Sequence, residues 1–211
     1  MGQGPDLVYL PETNFDLEKF IADVKSIYEK NGSCFVAVSE GIHDSNGVLI
    51  AEYGAEDAAV DAFGHKQLGG LASTLVNILH NRFGNIKMRG IELSLLQRCA
   101  AHCASQIDVE EAFKAGSCAV NFALEGITDK MVGFVRAKDE NGNYKCKIEL
   151  FDLVEVANAE KKVPLEWINA EGNGLNEKYA EYLIPLIEGP TEMTYVNGLP
   201  RFAKLKKVIA K

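Results

Sequence analysis

The run Ser33–Ser39 (SCFVAVS) constrains this chain most, because so apolar a strand calls for cover on both faces. A strand with one face in water would alternate apolar and polar residues, and this one does not. Before it comes a second short apolar run, Leu7–Leu10, closed by Pro11 and read as a strand. Between the two, Asn14 or Asp16 caps a helix through about Lys30. Its apolar positions Leu17, Phe20, Ile21, Val24 and Ile27 recur at intervals of three and four. Asn31-Gly32 stops that helix, and the buried run ends abruptly at Glu40-Gly41. Strand, helix and buried parallel strand in this order predict an α/β layered sandwich with a mostly parallel sheet.

The remaining chain continues the alternation. Residues 42 to 70 are loop-rich, with a turn at Asn46-Gly47 and an unusual stretch Asp61-Ala62-Phe63-Gly64-His65. A helix is expected from about Gly70 to Asn81, ended by Phe83-Gly84. Ile91, Leu93 and Leu95 alternate with polar or small neighbours and so predict a strand that leads into a basic turn at Gln97-Arg98. A long helical region begins near Gln97, has a fresh capped start at Ile107–Glu111 and stops at Gly126. Met131–Arg136 and Tyr144–Leu150 predict a hairpin around Asn141-Gly142. A last helix falls near Asn176–Ile187, and the division expected is one α/β region over 1–150 with an extension over 151–211.

Composition narrows the function classes. The chain has 211 residues and a net charge of −8, which argues against nucleic acid or an anionic membrane as the main partner. A small anion remains compatible, since a few local arginines can outweigh the global field. No stretch approaches the ~20 apolar residues of a membrane span. The start Met1-Gly2-Gln3-Gly4-Pro5 lacks the features of a secretory leader. Five scattered cysteines (Cys34, Cys99, Cys103, Cys118, Cys146) read as reduced thiols in a cytoplasmic protein. Cys99, His102 and Cys103 suggest a metal site only weakly, because no second cluster completes a tetrahedral set.

Three residues carry the candidate chemistry. Arg89 and Arg98 flank the expected strand, and two guanidiniums there suit a phosphate or carboxylate, each offering a planar fork of donors. Ordinary surface ion pairs are the other reading. Glu40 ends the buried strand, where ligands of open α/β sheets gather, and an ionised carboxylate accepts hydrogen bonds from sugar hydroxyls; a loop-bonding glutamate is its alternative. His65 is read as a general acid or base, or as a structural histidine in a glycine-bordered turn. His43 and His80 have no partner pattern, Lys161-Lys162 read as a solvated basic pair, and Trp167 as core or a packing lid. The sequence has no GxGxxG, P-loop, GxSxG or HExxH.

In their order and spacing these segments resemble the phosphofructokinase superfamily, specifically its pyrophosphate-dependent branch. Leu7–Glu12 with Phe15-Asp16-Leu17 is similar to the family's strand-Pro-Glu entry to a helix, and Phe35–Gly41 to the strand whose terminal glutamate binds the sugar. Asp61–His65 with Leu68–Gly70, Val156–Asn158 through Pro164, and Tyr182–Ile187 resemble the same branch. Arg89 and Gln97-Arg98 resemble the arginine pair that holds the sugar's 6-phosphate.

The resemblance implies that Glu40 binds fructose hydroxyls and that Arg89 and Arg98 bind the phosphate of fructose 6-phosphate. Arg89 in many relatives reaches a site built mainly by another subunit, so the resemblance also implies a homo-oligomer. One departure is Leu95, where many members carry His or Tyr; an aliphatic side chain donates no hydrogen bond. The family's Gly-Gly-Asp donor loop, its Asp-containing TID segment and its Met-Gly-Arg motif are absent. The chain is therefore expected to be a C-terminal portion, incomplete relative to the full enzyme, with pyrophosphate and Mg²⁺ held by residues it lacks. An ATP-dependent enzyme and a non-catalytic sugar-phosphate-binding module are the alternative readings.

Overall fold

A computed structural model of the chain describes residues 4–54, 70–84, 86–201, 204 and 206–209. The chain divides into two compact units, Met1–Leu93 with Lys161–Ala180, and Ser94–Glu160 with Glu181–Lys211.

The first unit is built on the expected strand–helix–strand succession. β1 (Leu7–Tyr9) and β2 (Val36–Val38) pair in parallel, Leu7 opposite Val36 and Tyr9 opposite Val38. Between them runs α1 (Leu17–Asn31). Of the two proposed caps the structure uses Asp16, whose carboxylate accepts from the Lys19 N–H at 3.0 Å. Gly32 closes the helix at φ 72°, a conformation that a side chain disfavours. The helix turns Phe20, Ile21 and Val24 inward, where they meet Leu7, Tyr9, Phe15, Ile42, Ile50 and the α2 (Leu71–Phe83) residues Leu71, Leu75 and Leu79. Tyr9, Phe15 and Phe20 form an aromatic trio with ring centroids 5.2–5.5 Å apart. β2 is half-buried where its sequence predicts full burial: among the described residues it has a strand neighbour on one edge, and Phe35 before it is exposed.

Residues 161–180 belong to this unit through polar staples. The Asp23 carboxylate accepts from Tyr9 Oη at 2.9 Å and from Asn173 Nδ2 at 2.8 Å, while the Val8 N–H donates to the Asn173 carbonyl at 2.9 Å. Trp167 is half-buried and meets the Tyr179 ring edge-on, with centroids 6.3 Å apart.

The second unit begins with α3 (Ser94–Cys99) and α4 (Gln106–Leu124). Ser105 caps α4, accepting from the Asp108 N–H at 3.1 Å, so the helix starts just ahead of the expected Ile107. The hairpin forms as predicted, β3 (Lys130–Lys138) against β4 (Tyr144–Asp152), with Asp139 accepting from the Asn141 and Asn143 amides at the turn. Tyr144 Oη donates to Glu111 Oε1 at 2.8 Å and ties the hairpin to α4. α5 (Leu153–Val156) follows; α6 (Glu177–Leu183), whose residues up to Ala180 belong to the first unit, is shorter than expected because Ile184-Pro185-Leu186 tightens into a 3₁₀ turn. Two short strands, β5 (Tyr195–Val196) and β6 (Leu199–Pro200), close around Asn197-Gly198, both at positive φ. Among the described residues no helix is long and apolar enough to cross a membrane.

Candidate functional site

Glu40 sits in the turn that leaves β2. The Ile42 N–H donates back to the Ser39 carbonyl at 3.3 Å across Glu40-Gly41, and Ile42 itself is fully buried. The Ile50 N–H bonds to the Ile42 carbonyl and the Phe15 N–H to the His43 carbonyl, so the turn is fixed on both sides. Asp44 organises the loop beyond, accepting from the Asn46 and Val48 amides and from Tyr53 Oη. These donors, the Val48 amide first, hold its carboxyl below the usual carboxylate range. The Glu40 side chain therefore projects exposed from a well-anchored turn at the carboxyl end of a parallel strand.

Arg89 belongs to the same unit, and its segment corrects the sequence expectation. Residues 89–93 are not a strand, and Ser94–Cys99 is helical. The cause lies in α2, whose N-terminal residue Gly70 has no side chain with which to cap the helix. Glu92 does so from a distance, Oε1 accepting from the Ala72 N–H at 2.9 Å. Gly90 makes the approach feasible: a Cβ there would lie 3.0 Å from the Ala72 carbonyl carbon. The alternation of Ile91, Leu93 and Leu95 thus marks no ladder strand: Ile91 and Leu93 lie exposed on an irregular strap, and Leu95 lies exposed in the first turn of α3. Arg89 is exposed next to this strap.

Arg98 lies in the last turn of α3 and is exposed. It belongs to the second unit, so the three candidate residues are divided, Glu40 and Arg89 in one unit and Arg98 in the other. Among the described residues, Glu40, Arg89 and Arg98 make no ion pair or side-chain hydrogen bond. Elsewhere on the surface, by contrast, Arg82 pairs with Glu18 and Lys130 with Asp152. His65 and Asp61–Gly69 lie outside the described residues. His80 Nδ1 faces the Gly84 carbonyl at 3.2 Å, a local helix-end contact.

Glu12, noted in the sequence only as part of a strand-Pro-Glu entry, proves to be a structural residue as well. Its Oε1 accepts from the Val163 N–H at 2.9 Å, while its Oε2 is enclosed with no partner among the described residues. Cys99, His102 and Cys103 are all exposed, and no group of three or more His, Cys, Asp or Glu among the described residues is placed to hold a metal ion.

Comparison with known proteins gives this geometry a context. The phosphofructokinase family model matches residues 1–91. The pyrophosphate–fructose 6-phosphate 1-phosphotransferase of Methylococcus capsulatus is 40% identical over 96% of this chain and 46% of its own length. The enzyme of the same name from Halomonas elongata is 40% identical over 98% of this chain and 48% of its own length. The crystal structure of pyrophosphate-dependent phosphofructokinase from Marinobacter aquaeolei superposes with a TM-score of 0.76 at 33% identity, covering all of this chain and 47% of that one. The chain has a phosphofructokinase-like α/β fold. It spans about half the length of the curated relatives it matches. In this phosphofructokinase-like frame Glu40 and Arg89 fall within the stretch matched by the family model, and Arg98 lies beyond it.

Proposed function

We propose that this chain is the sugar-phosphate-binding portion of a pyrophosphate-dependent phosphofructokinase, a C-terminal portion in the relatives' order. The full enzyme passes a phosphoryl group from pyrophosphate to the 1-hydroxyl of fructose 6-phosphate, giving fructose 1,6-bisphosphate and phosphate, a cytoplasmic step of glycolysis. The likeness that carries this reading is the 40% identity to enzymes of that name across nearly the whole chain.

Glu40 accepts hydrogen bonds from fructose hydroxyls, and Arg89 and Arg98 bracket the 6-phosphate dianion. Their guanidiniums lack ion-pair partners among the described residues, which supports an anion as their partner. Binding the phosphate at one end of the sugar fixes the 1-hydroxyl at the other, and orientation of this kind is a major part of phosphoryl-transfer catalysis. Leu95 contributes no hydrogen bond to the phosphate. In this reading Mg²⁺ and pyrophosphate are held by residues outside this chain. Arg89 serves a site shared with a neighbouring subunit in a homo-oligomer.

The test is activity in two forms. The 211-residue chain alone is expected to form no fructose 1,6-bisphosphate from pyrophosphate and fructose 6-phosphate. A chimaera in which this chain replaces the matched segment of the Methylococcus capsulatus enzyme is expected to form it. Metal-dependent turnover by the pure chain would contradict the reading.

A further inference from the structure

Arg89 is exposed, yet the backbone on either side of it is held. Before it, the half-buried Met88 packs against the core that Leu71, Leu75 and Leu79 of α2 share with α1. After it, Gly90 lies directly against the first turn of α2. A Cβ on Gly90 would stand 3.0 Å from both the carbonyl carbon and the oxygen of Ala72, and 3.2 Å from its Cβ. The strap meets helix backbone there, so the contact tolerates little displacement. Two residues on, Glu92 Oε1 accepts the Ala72 N–H at 2.9 Å. Among the described residues the backbone of 90–93 makes no backbone hydrogen bond, so this side-chain bond is what ties the strap. The surface that it ties to is firm, since Leu71 is 2% exposed and anchors the start of α2 in the core.

Glu92 is also the carboxylate nearest to Arg89 in sequence, three residues away. It does not neutralise that guanidinium. Its Oε1 turns instead to the Ala72 amide, where the positive end of the helix dipole favours an anion. Arg89 forms no ion pair among the described residues. One carboxylate thus fixes the strap and leaves the neighbouring arginine open to another anion. An arginine on a tethered backbone gives up less freedom on binding than one on a loose segment, which is how preorganisation adds to affinity.

We propose that, with Arg89 as a ligand of the sugar's 6-phosphate, Glu92 is its positioning residue. Glu92 itself touches no substrate. By tying the strap to the first turn of α2, it sets where the Arg89 guanidinium stands when the phosphate arrives. Gly90 permits the close approach that this tie needs.

Two measurements test this. In the chimaera, Glu92→Ala should raise the KM for fructose 6-phosphate by about fivefold or more and leave the KM for pyrophosphate near its starting value. Glu92→Gln keeps an oxygen that accepts the same hydrogen bond and should stay within about twofold of the unsubstituted enzyme. In an Arg89→Ala background, Glu92→Ala should add less than about twofold, because residues that act through one another are not additive. An effect of Glu92→Ala that is equally large with and without Arg89 overturns the proposal, since the tie would then serve the fold alone. So does an unchanged KM in Glu92→Ala where Arg89→Ala raises it. An unchanged KM in Arg89→Ala removes the phosphate assignment itself, and the proposal with it. The 211-residue chain gives a readout that needs no turnover. Trypsin cuts after arginine, and cleavage at Arg89-Gly90 requires the strap to leave α2. Glu92→Ala and Gly90→Val should each speed that cut by about tenfold or more, relative to the cut after Lys30 at the end of α1, and Glu92→Gln should not. An unchanged rate in Glu92→Ala and Gly90→Val overturns the proposal.

Discussion

Arg98 stands at the end of a six-residue helix, exposed and unpaired among the described residues. A guanidinium in that position has no fold-stabilising partner to lose, so its replacement reads out binding with little effect on stability. In the chimaera, Arg98→Ala should raise the KM for fructose 6-phosphate by the equivalent of roughly 1.5–3 kcal/mol, the worth of a charge-assisted hydrogen bond. Arg98→Lys should recover only part of that loss, since an ammonium lacks the planar fork. Steady-state kinetics on the two variants decide it. Cys34 allows a second single-residue prediction. Burial first, and then the charge of Asp6, push its thiol from 9.0 up to about 11. The folded state thus holds that proton more tightly than the unfolded chain does. This contribution to stability is full below pH 9 and is lost as pH rises toward 11. Tyr9, Tyr144 and Cys146 are also raised and act in the same direction. The urea midpoint should therefore fall between pH 9 and 11, and less steeply in Cys34→Ala.

At the scale of elements, the periodic segments were legible and the improvised ones were not. α1 announces itself by spacing and caps, and the hairpin by its Asn-Gly turn, because those signals are local. The strap over 90–93 misleads because period-2 alternation suggests extended backbone, while a ladder also needs a neighbouring strand. What holds the strap is Glu92 bonded to Ala72, twenty residues away in sequence, and no local pattern encodes it. A glycine at the start of α2 was the available clue: a helix without a capping side chain needs an acceptor from elsewhere. Glu92→Ala should cost about 0.5–2 kcal/mol, the usual value of a lost N-cap, measured by urea denaturation. Gly133 plays a comparable part in the hairpin. A Cβ there would lie 2.7 Å from the Phe151 ring, which covers the bare backbone of the neighbouring strand. Gly133→Val should accordingly destabilise the second unit by roughly 1–3 kcal/mol, the range for an overpacked contact. A midpoint equal to that of the unsubstituted chain would show that the ring gives way without strain.

For the whole molecule, the α/β class followed from the order of strands and helices. The division into two units did not, because it depends on residues 161–180 returning to the first unit through Asn173 and Asp23. The candidate site was legible as residue types at strand and helix ends: the sequence pointed to Glu40, Arg89 and Arg98, and the structure places each exposed, the first in an anchored turn and the second beside a tethered strap. That the three are divided between units lay beyond any local reading. The central claim is that these three residues hold one sugar phosphate in the assembled enzyme. The most direct measurement is the KM for fructose 6-phosphate of the chimaera carrying Glu40→Gln, Arg89→Ala or Arg98→Ala in turn, with the KM for pyrophosphate as reference. The account predicts that each substitution raises the sugar-phosphate KM by about tenfold or more and leaves the pyrophosphate KM near its starting value. An active chimaera whose sugar-phosphate KM is indifferent to all three would contradict it.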